Sequence, residues 1–217
     1  MISGSEGRYL KKLLLIGGGG HCRSVLDCIL SMNEYDRIGV IDKSKRDLHG
    51  AEVVGTDDDL PSLYNEGWTD AFITIGSVGD TSIRRRLFQL AEDIGFHIPV
   101  IIDPTAVVAH DVILEKGCFV GKRAVINSGS RIGQSAIINT GTLIEHDCEI
   151  GEFSHISPGA VLCGQVSVGM DTHIGAGSVV RQQIKIGNNV LVGIGSVVTK
   201  NIDDRKTAFG NPCKVIR

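Results

Sequence analysis

The chain has 217 residues, with 22 Lys and Arg against 25 Asp and Glu and a formal net charge of -3. That balance leaves no basic footprint for nucleic acid or for an anionic membrane surface, and there is no acidic tail. Six cysteines without a CxxC pair read as free thiols, not as a disulfide framework or a zinc site.

Residues 1–10 are polar and contain Gly and Ser, so a flexible lead-in is expected there. The early apolar run Leu13 to Ile16 is too short for a signal-peptide core and no stretch could span a membrane, which predicts a cytoplasmic location. Lys11 to Ile16 reads as a buried strand, followed by the turn Gly17-Gly18-Gly19-Gly20-His21 and a helical pattern through Val25, Leu26, Ile29 and Leu30. A second strand, Ile38 to Ile41, ends at Asp42 and Lys43. A further strand, Ala71 to Ile75, leads into a helix from Ser82 to about Ile94. This alternation predicts an α/β unit with a small Rossmann-like parallel sheet over residues 11–100.

The glycine turn would let backbone N–H groups approach a phosphate at a helix N-terminus. Gly17 and Gly19 match the first glycines of the dinucleotide fingerprint, but Cys22 stands at the third, which disfavours a full NAD site; a turn that only joins strand to helix is the structural alternative. Asp42 reads as a partner for a ribose or base edge, or as a solvated strand end. Arg84, Arg85 and Arg86 read as a solvated helical face, with a phosphate contact as the alternative.

From Ile102 to Val198 every sixth residue is Ile, Val or Leu, over seventeen repeats without an insertion. Four positions later comes a small or β-branched residue, as at Cys118, Ala124, Ser130, Thr142 and Cys148. Helical periodicity cannot produce a period of six, whereas a parallel β-helix can: each repeat makes one side of a triangular prism, and eighteen residues make a coil. Residues 101–203 then form about five to six coils, a column about 27 Å tall. Residues 204–217 return to an extended apolar pattern and are expected to cap the last coils.

The unbroken register gives each histidine a phase. His110 and His146 share one, being 36 residues apart, and His155 and His173 share another, being 18 apart; all four point outward from the prism, which disfavours a buried core histidine. His146 and His155 are nine residues, half a coil, apart and cannot meet within one subunit. If both serve one site, that site lies between prisms, and a homotrimer is the simple closed packing. Gly164 follows His146 by one coil, so its amide should stack about 4.8 Å above the imidazole. A histidine base beneath a glycine amide, with Asp147 to orient the ring, suits acyl transfer. Interface hydrogen bonding is the bland alternative. Zinc, as in a hexapeptide-fold carbonic anhydrase, is the competing chemistry, but the third ligand expected five residues after His146 is Gly151, so no metal is expected.

The turn Gly17 to His21 together with Asn139-Thr140-Gly141-Thr142-Leu143-Ile144-Glu145-His146-Asp147 and the following Ser154-His155-Ile156-Ser157-Pro158 resembles the bacterial sugar acetyltransferases of the sialic acid O-acetyltransferase and UDP-4-amino-sugar N-acetyltransferase family. The resemblance runs from Lys11 onward and implies a left-handed β-helix, the hand being taken from the family. It implies acetyl-CoA as co-substrate, His146 as catalytic base, Asp147 as its orienting acid and His155 as the histidine that faces the acetyl carbonyl from a neighbouring subunit. Coenzyme contacts are implied at Gly164, Ala176, Ile194 and Lys214, the last within a Gly210-Asn211-Pro212-Cys213-Lys214 segment where Cys213 replaces the usual alanine. In the N-terminal unit the resemblance implies a nucleotide-sugar site at Gly18, Gly19, Gly20, His21, Asp42 and Lys43; Gly19 and Cys22 depart from the family's usual Ser and Gly. The expected activity is N-acetylation of the 4-amino group of a UDP-linked amino-dideoxy sugar. O-acetylation of a sialic acid is the near alternative, and a non-catalytic trimeric module the alternative from another class.

Overall fold

The computed structural model describes residues 10–44, 48 and 51–217; the expected lead-in lies outside these apart from Leu10. The N-terminal unit runs β1 (Lys12–Ile16), α1 (Gly20–Met32), β2 (Arg37–Ile41), β3 (Glu52–Gly55), a 3₁₀ turn (Asp57–Asp59), α2 (Leu60–Asn65), β4 (Asp70–Ile73) and α3 (Ser82–Ile94). The four strands are all parallel in the order β3-β2-β1-β4, a Rossmann-like sheet whose central strand β1 is apolar along almost its whole length because both faces are covered. Two elements escape sequence patterning. β3 is a short, half-buried edge strand, and α2 spans only six residues with Pro61 in its first turn.

The prism follows as seventeen two-residue strands, β5 (Ile101–Ile102) to β21 (Val197–Val198), at a spacing of six, and it is a left-handed parallel β-helix. The second residue of each strand fills the interior; Val120, Ile126, Ile132, Ile138 and Ile144 are all at most 1% exposed. The small inward residue completes the packing and, where it carries a hydroxyl, satisfies the backbone of the next coil, as in Ser154 Oγ to Gly169 O at 2.7 Å and Thr172 Oγ1 to Gly187 O at 2.7 Å. Cys118 and Cys148 occupy this inward position with no exposure, as the repeat predicts, and burial pushes their thiols up to about 12 and about 11. At each corner one residue takes positive φ, every sixth position from Gly117 to Gly195, and Asp147 (φ 58°) is one of them.

The first residue of each strand points outward, and the three faces differ. One face presents Ile101, Phe119, Ile137, His155 and His173, and the N-terminal unit lies on it: α1 packs Cys22, Val25 and Ile29 against Ile101, Phe119 and Ile137. A second presents Ile113, Arg131, Glu149, Ser167 and Lys185, a largely charged surface. The third presents Val107, Val125, Leu143, Val161, Val179 and Val197, a wholly aliphatic stripe that no other element among the described residues covers.

Two arginines fasten the units together. Arg84, 2% exposed, donates to the carbonyls of Ser135 and Phe153 (3.0 Å for the latter) and to Ser77 Oγ at 3.1 Å. Arg85 grips Asp171 with Nε and Nη2, each at 2.8 Å, and reaches Glu152 at 3.1 Å. The expectation of a solvated charge run on this helix therefore fails for Arg84 and Arg85 and holds only for Arg86, an exposed partner of Asp57. The reason is tertiary: the prism corner at Phe153 packs into the core beneath α3. At the far end, β22 (Thr207–Phe209) stacks parallel on Leu191–Val192 and pairs antiparallel with β23 (Lys214–Val215).

Candidate active site

His146 and Asp147 sit at the corner where the aliphatic stripe turns into the charged face. The left-handed backbone of Asp147 folds its carboxylate back on its neighbour, Oδ2 lying 2.8 Å from His146 Nδ1. A carboxylate oxygen only accepts, so Nδ1 carries a proton, and in the neutral ring the lone pair is on Nε2. One coil above, Gly164 closes over the other end of the ring: a β-carbon there would stand 2.5 Å from Nε2. The stacking read from the eighteen-residue phase is thus present in the structure. Both His146 and Asp147 are solvent-exposed in the single chain.

His155 lies at the opposite edge of the aliphatic stripe, beneath the loop after β4. Its Nδ1 is 3.1 Å from Ser77 O and its Nε2 is 3.1 Å from Asn139 Nδ2. A carbonyl only accepts, which assigns the proton to Nδ1 and makes Nε2 the acceptor of the Asn139 amide. Asn139 in turn accepts from Thr140 N at 2.8 Å, and its amide nitrogen carries a second N–H. Sequence reasoning singled out His155 but not Asn139, whose only signal was its place at the head of the quoted Asn-Thr-Gly motif.

The expectation that the outward histidines avoid burial fails on this face. His173 is 8% exposed, stacked edge-on against His155 with ring centroids 4.9 Å apart, its Nε2 3.2 Å from Ser157 Oγ. Outward from the prism is not outward from the molecule, because the N-terminal unit covers the face. Burial drives His155 down to about 4 and lowers His173 as well, so both rings are neutral. His110 stays exposed at the corner of His146, two coils below.

In the N-terminal unit Gly18 and Gly19 form the turn after β1, and Gly20 opens α1. Asp42 braces this turn: its carboxylate accepts from Gly18 N at 2.6 Å, and from Ser44 N and Oγ at 2.7 and 2.6 Å. His21 turns inward, its ring edge-on to Phe119 at 5.3 Å, and desolvation, followed by the electrostatic influence of nearby His155 and Arg84, drives it down to about 3. Lys43 is exposed on a concavity shared with Thr56, Asp57, Asp58 and Arg86 at the strand ends. Among the remaining implied contacts, Ala176 and Ile194 lie at the edge of Asn139, Ile194 being 80% exposed, and Lys214 is exposed on β23. Among the described residues no three His, Cys, Asp or Glu are grouped to hold a metal ion, and no helix is long and apolar enough to cross a membrane.

Residues 12–91 match the family model of the PglD N-terminal domain, and residues 111–146 and 165–200 match that of the hexapeptide repeat of succinyl-transferase. A perosamine N-acetyltransferase from Caulobacter crescentus, solved with CoA and GDP-perosamine, is 36% identical over 95% of this chain and 97% of its own, with a TM-score of 0.90. The acetyltransferase domain of PglB from Neisseria gonorrhoeae, solved with acetyl coenzyme A, is also 36% identical, over 95% of this chain and all of its own (100%), with a TM-score of 0.90. WeeI from Acinetobacter baumannii shares the fold at 22% identity and a TM-score of 0.82. These matches make the chain an acyltransferase, built as a Rossmann-like unit seated on one face of a hexapeptide prism. Within that class, the chain belongs to the hexapeptide-repeat family of sugar acetyltransferases.

Proposed function

We propose that the protein transfers the acetyl group of acetyl-CoA to the 4-amino group of a nucleoside-diphosphate-linked amino-dideoxy sugar, with His146 as general base, at sites between subunits of a homotrimer. UDP is the nucleotide expected from the sequence, and GDP, held by the Caulobacter relative, is its competitor. The observation that carries the proposal is the His146 ring itself, with Nδ1 tied to Asp147 and Nε2 turned toward Gly164.

The amine nitrogen attacks the thioester carbon while Nε2 accepts the ammonium proton; the tetrahedral intermediate then collapses, the C–S bond breaks and the imidazolium returns the proton to the CoA sulfur. Asp147 favours the transient imidazolium and holds the tautomer. The developing oxyanion requires donors, and the Gly164 amide and the Asn139 amide at the facing edge are the groups suited to that work.

The trimer is supported by the arrangement of edges. The aliphatic stripe separates His146 and Gly164 on one edge from Asn139, His155, Ala176 and Ile194 on the other. A single pantetheine arm touches both sets only where the first edge of one subunit meets the second edge of its neighbour, and the uncovered valines give that contact its driving force. Both co-substrates are cytoplasmic metabolites, which supports that location.

The test is CoA release from acetyl-CoA with UDP-linked and GDP-linked 4-amino-4,6-dideoxyhexoses, by wild type and His146→Ala. A loss of at least about a hundredfold is expected, the scale of a removed general base. Equal rates would take His146 out of the mechanism, and turnover of sialic acid alone would replace N- by O-acetylation.

A further inference from the structure

We infer that Gly129 is a positioning residue for the His146–Asp147 pair and that Asp111 fixes the turn in which Gly129 sits. The inference rests on the reading of His146 as the base. Gly129 lies one coil beneath Asp147, as Gly164 lies one coil above His146, so two glycines bracket the pair along the prism axis. A β-carbon on Gly129 would collide with Asp147 Oδ1 and stand 3.4 Å from its Cγ. The carboxylate is the end of a flexible side chain, and turning it away relieves the clash at little cost to the fold. That same rotation breaks its 2.8 Å contact with His146 Nδ1 and frees the ring to change tautomer.

The turn below is itself held. Asp111, a further coil down, accepts from Ser128 Oγ at 2.8 Å and from Gly129 N at 3.0 Å through a single oxygen, Oδ2. Ser128 O in turn accepts from Asp147 N at 2.9 Å. Asp111, Ser128–Gly129 and His146–Asp147 thus form three stacked layers of one corner, each set by the one beneath. The Ser128 hydroxyl, with the backbone N–H groups, holds the Asp111 carboxyl below its usual range, so the brace persists through the neutral range.

Gly67 supplies the control. It too holds a left-handed turn, φ 87° against 75° for Gly129, but lies after α2, away from both edges, and a β-carbon there meets only Lys12 Nζ, at 3.6 Å. Gly67→Ala therefore carries the backbone cost of a left-handed alanine without touching a carboxylate. The experiment compares Gly129→Ala, Gly67→Ala, Asp111→Ala, Asp147→Ala and Gly129→Ala/Asp147→Ala by kcat and KM with the two amino-sugar nucleotides, and by ¹⁵N imidazole spectra. The His146 signal is identified by its loss in His146→Ala.

For Gly129→Ala, kcat falls about tenfold to a hundredfold with the KM for acetyl-CoA within about twofold, and the His146 Nδ1–H signature is lost. Asp111→Ala moves the spectrum the same way by a smaller amount, Gly67→Ala resembles wild type, and Gly129→Ala adds nothing in the Asp147→Ala background. A His146 spectrum unmoved in both Gly129→Ala and Asp111→Ala, or a further kinetic loss in the Asp147→Ala background, overturns the inference. Should Gly129→Ala fail to fold, the Asp111→Ala spectrum decides alone. Full activity of His146→Ala would instead overturn the underlying reading, so the two failures are distinct.

Discussion

His146 Nε2 and the α-carbon of Gly164 face each other across one coil so closely that a β-carbon on the glycine would lie 2.5 Å from the nitrogen. The glycine leaves open the space in front of Nε2, where the proposed base would meet a substrate proton. Gly164→Ala is expected to lower kcat about tenfold or more by displacing the ring, with little change in thermal stability. Steady-state kinetics beside a melting curve measures both, and an unchanged kcat would contradict the role given to this contact.

Stability should fall in acid because of buried neutral histidines. His21 at about 3, His155 at about 4 and His173, also lowered, titrate in the folded chain below the ordinary value of 6.5. The unfolded chain therefore binds more protons as pH drops through 6.5, and stability declines from there toward pH 4, while the histidine contribution stays level above neutrality. Melting temperature against pH checks this, and His173→Gln should flatten part of the decline. A melting temperature that rises on acidification would be the wrong sign.

Arg84 fastens the two units, and although burial lowers its guanidinium to about 10 it remains a cation at neutral pH. Arg84→Met strands the Ser135 and Phe153 carbonyls, with an expected cost of about 3 kcal/mol or more. Because Arg84 also holds Ser77, whose carbonyl accepts from His155, acetyl transfer should fall further than stability alone explains. Denaturant titration and kinetics below the transition separate the two effects.

The aliphatic stripe gives a direct assembly test. Leu143→Asp with Val161→Asp places two charges at its centre and is expected to yield a monomer by sedimentation, folded by circular dichroism and inactive. A stable trimer in this variant would move the interface to another face.

The prism was legible because its period assigns every residue to interior, corner or face without reference to anything distant. Gly164 over His146 followed from counting eighteen. What counting could not supply was coverage. The burial of His155 and His173 depends on an α/β unit lying over one face, and Arg84 and Arg85 look like any helical charge run until Phe153 is seen packed beneath α3. Asn139 and Gly129 were missed for a related reason: each acts on a neighbour one coil away through a side-chain geometry that periodicity does not encode. β3 and α2 were missed because they are short and half-covered.

The central claim, a site completed by two subunits, is tested most directly by subunit mixing. His146→Ala and His155→Gln, each expected to be nearly inactive, are unfolded together in equal amounts and refolded, and mixed trimers are verified by mass. With His146 and His155 supplied by different chains, about one site in four carries both native residues, so activity should return to about a quarter of wild type. Mixed trimers that stay as inactive as their parents would contradict the account.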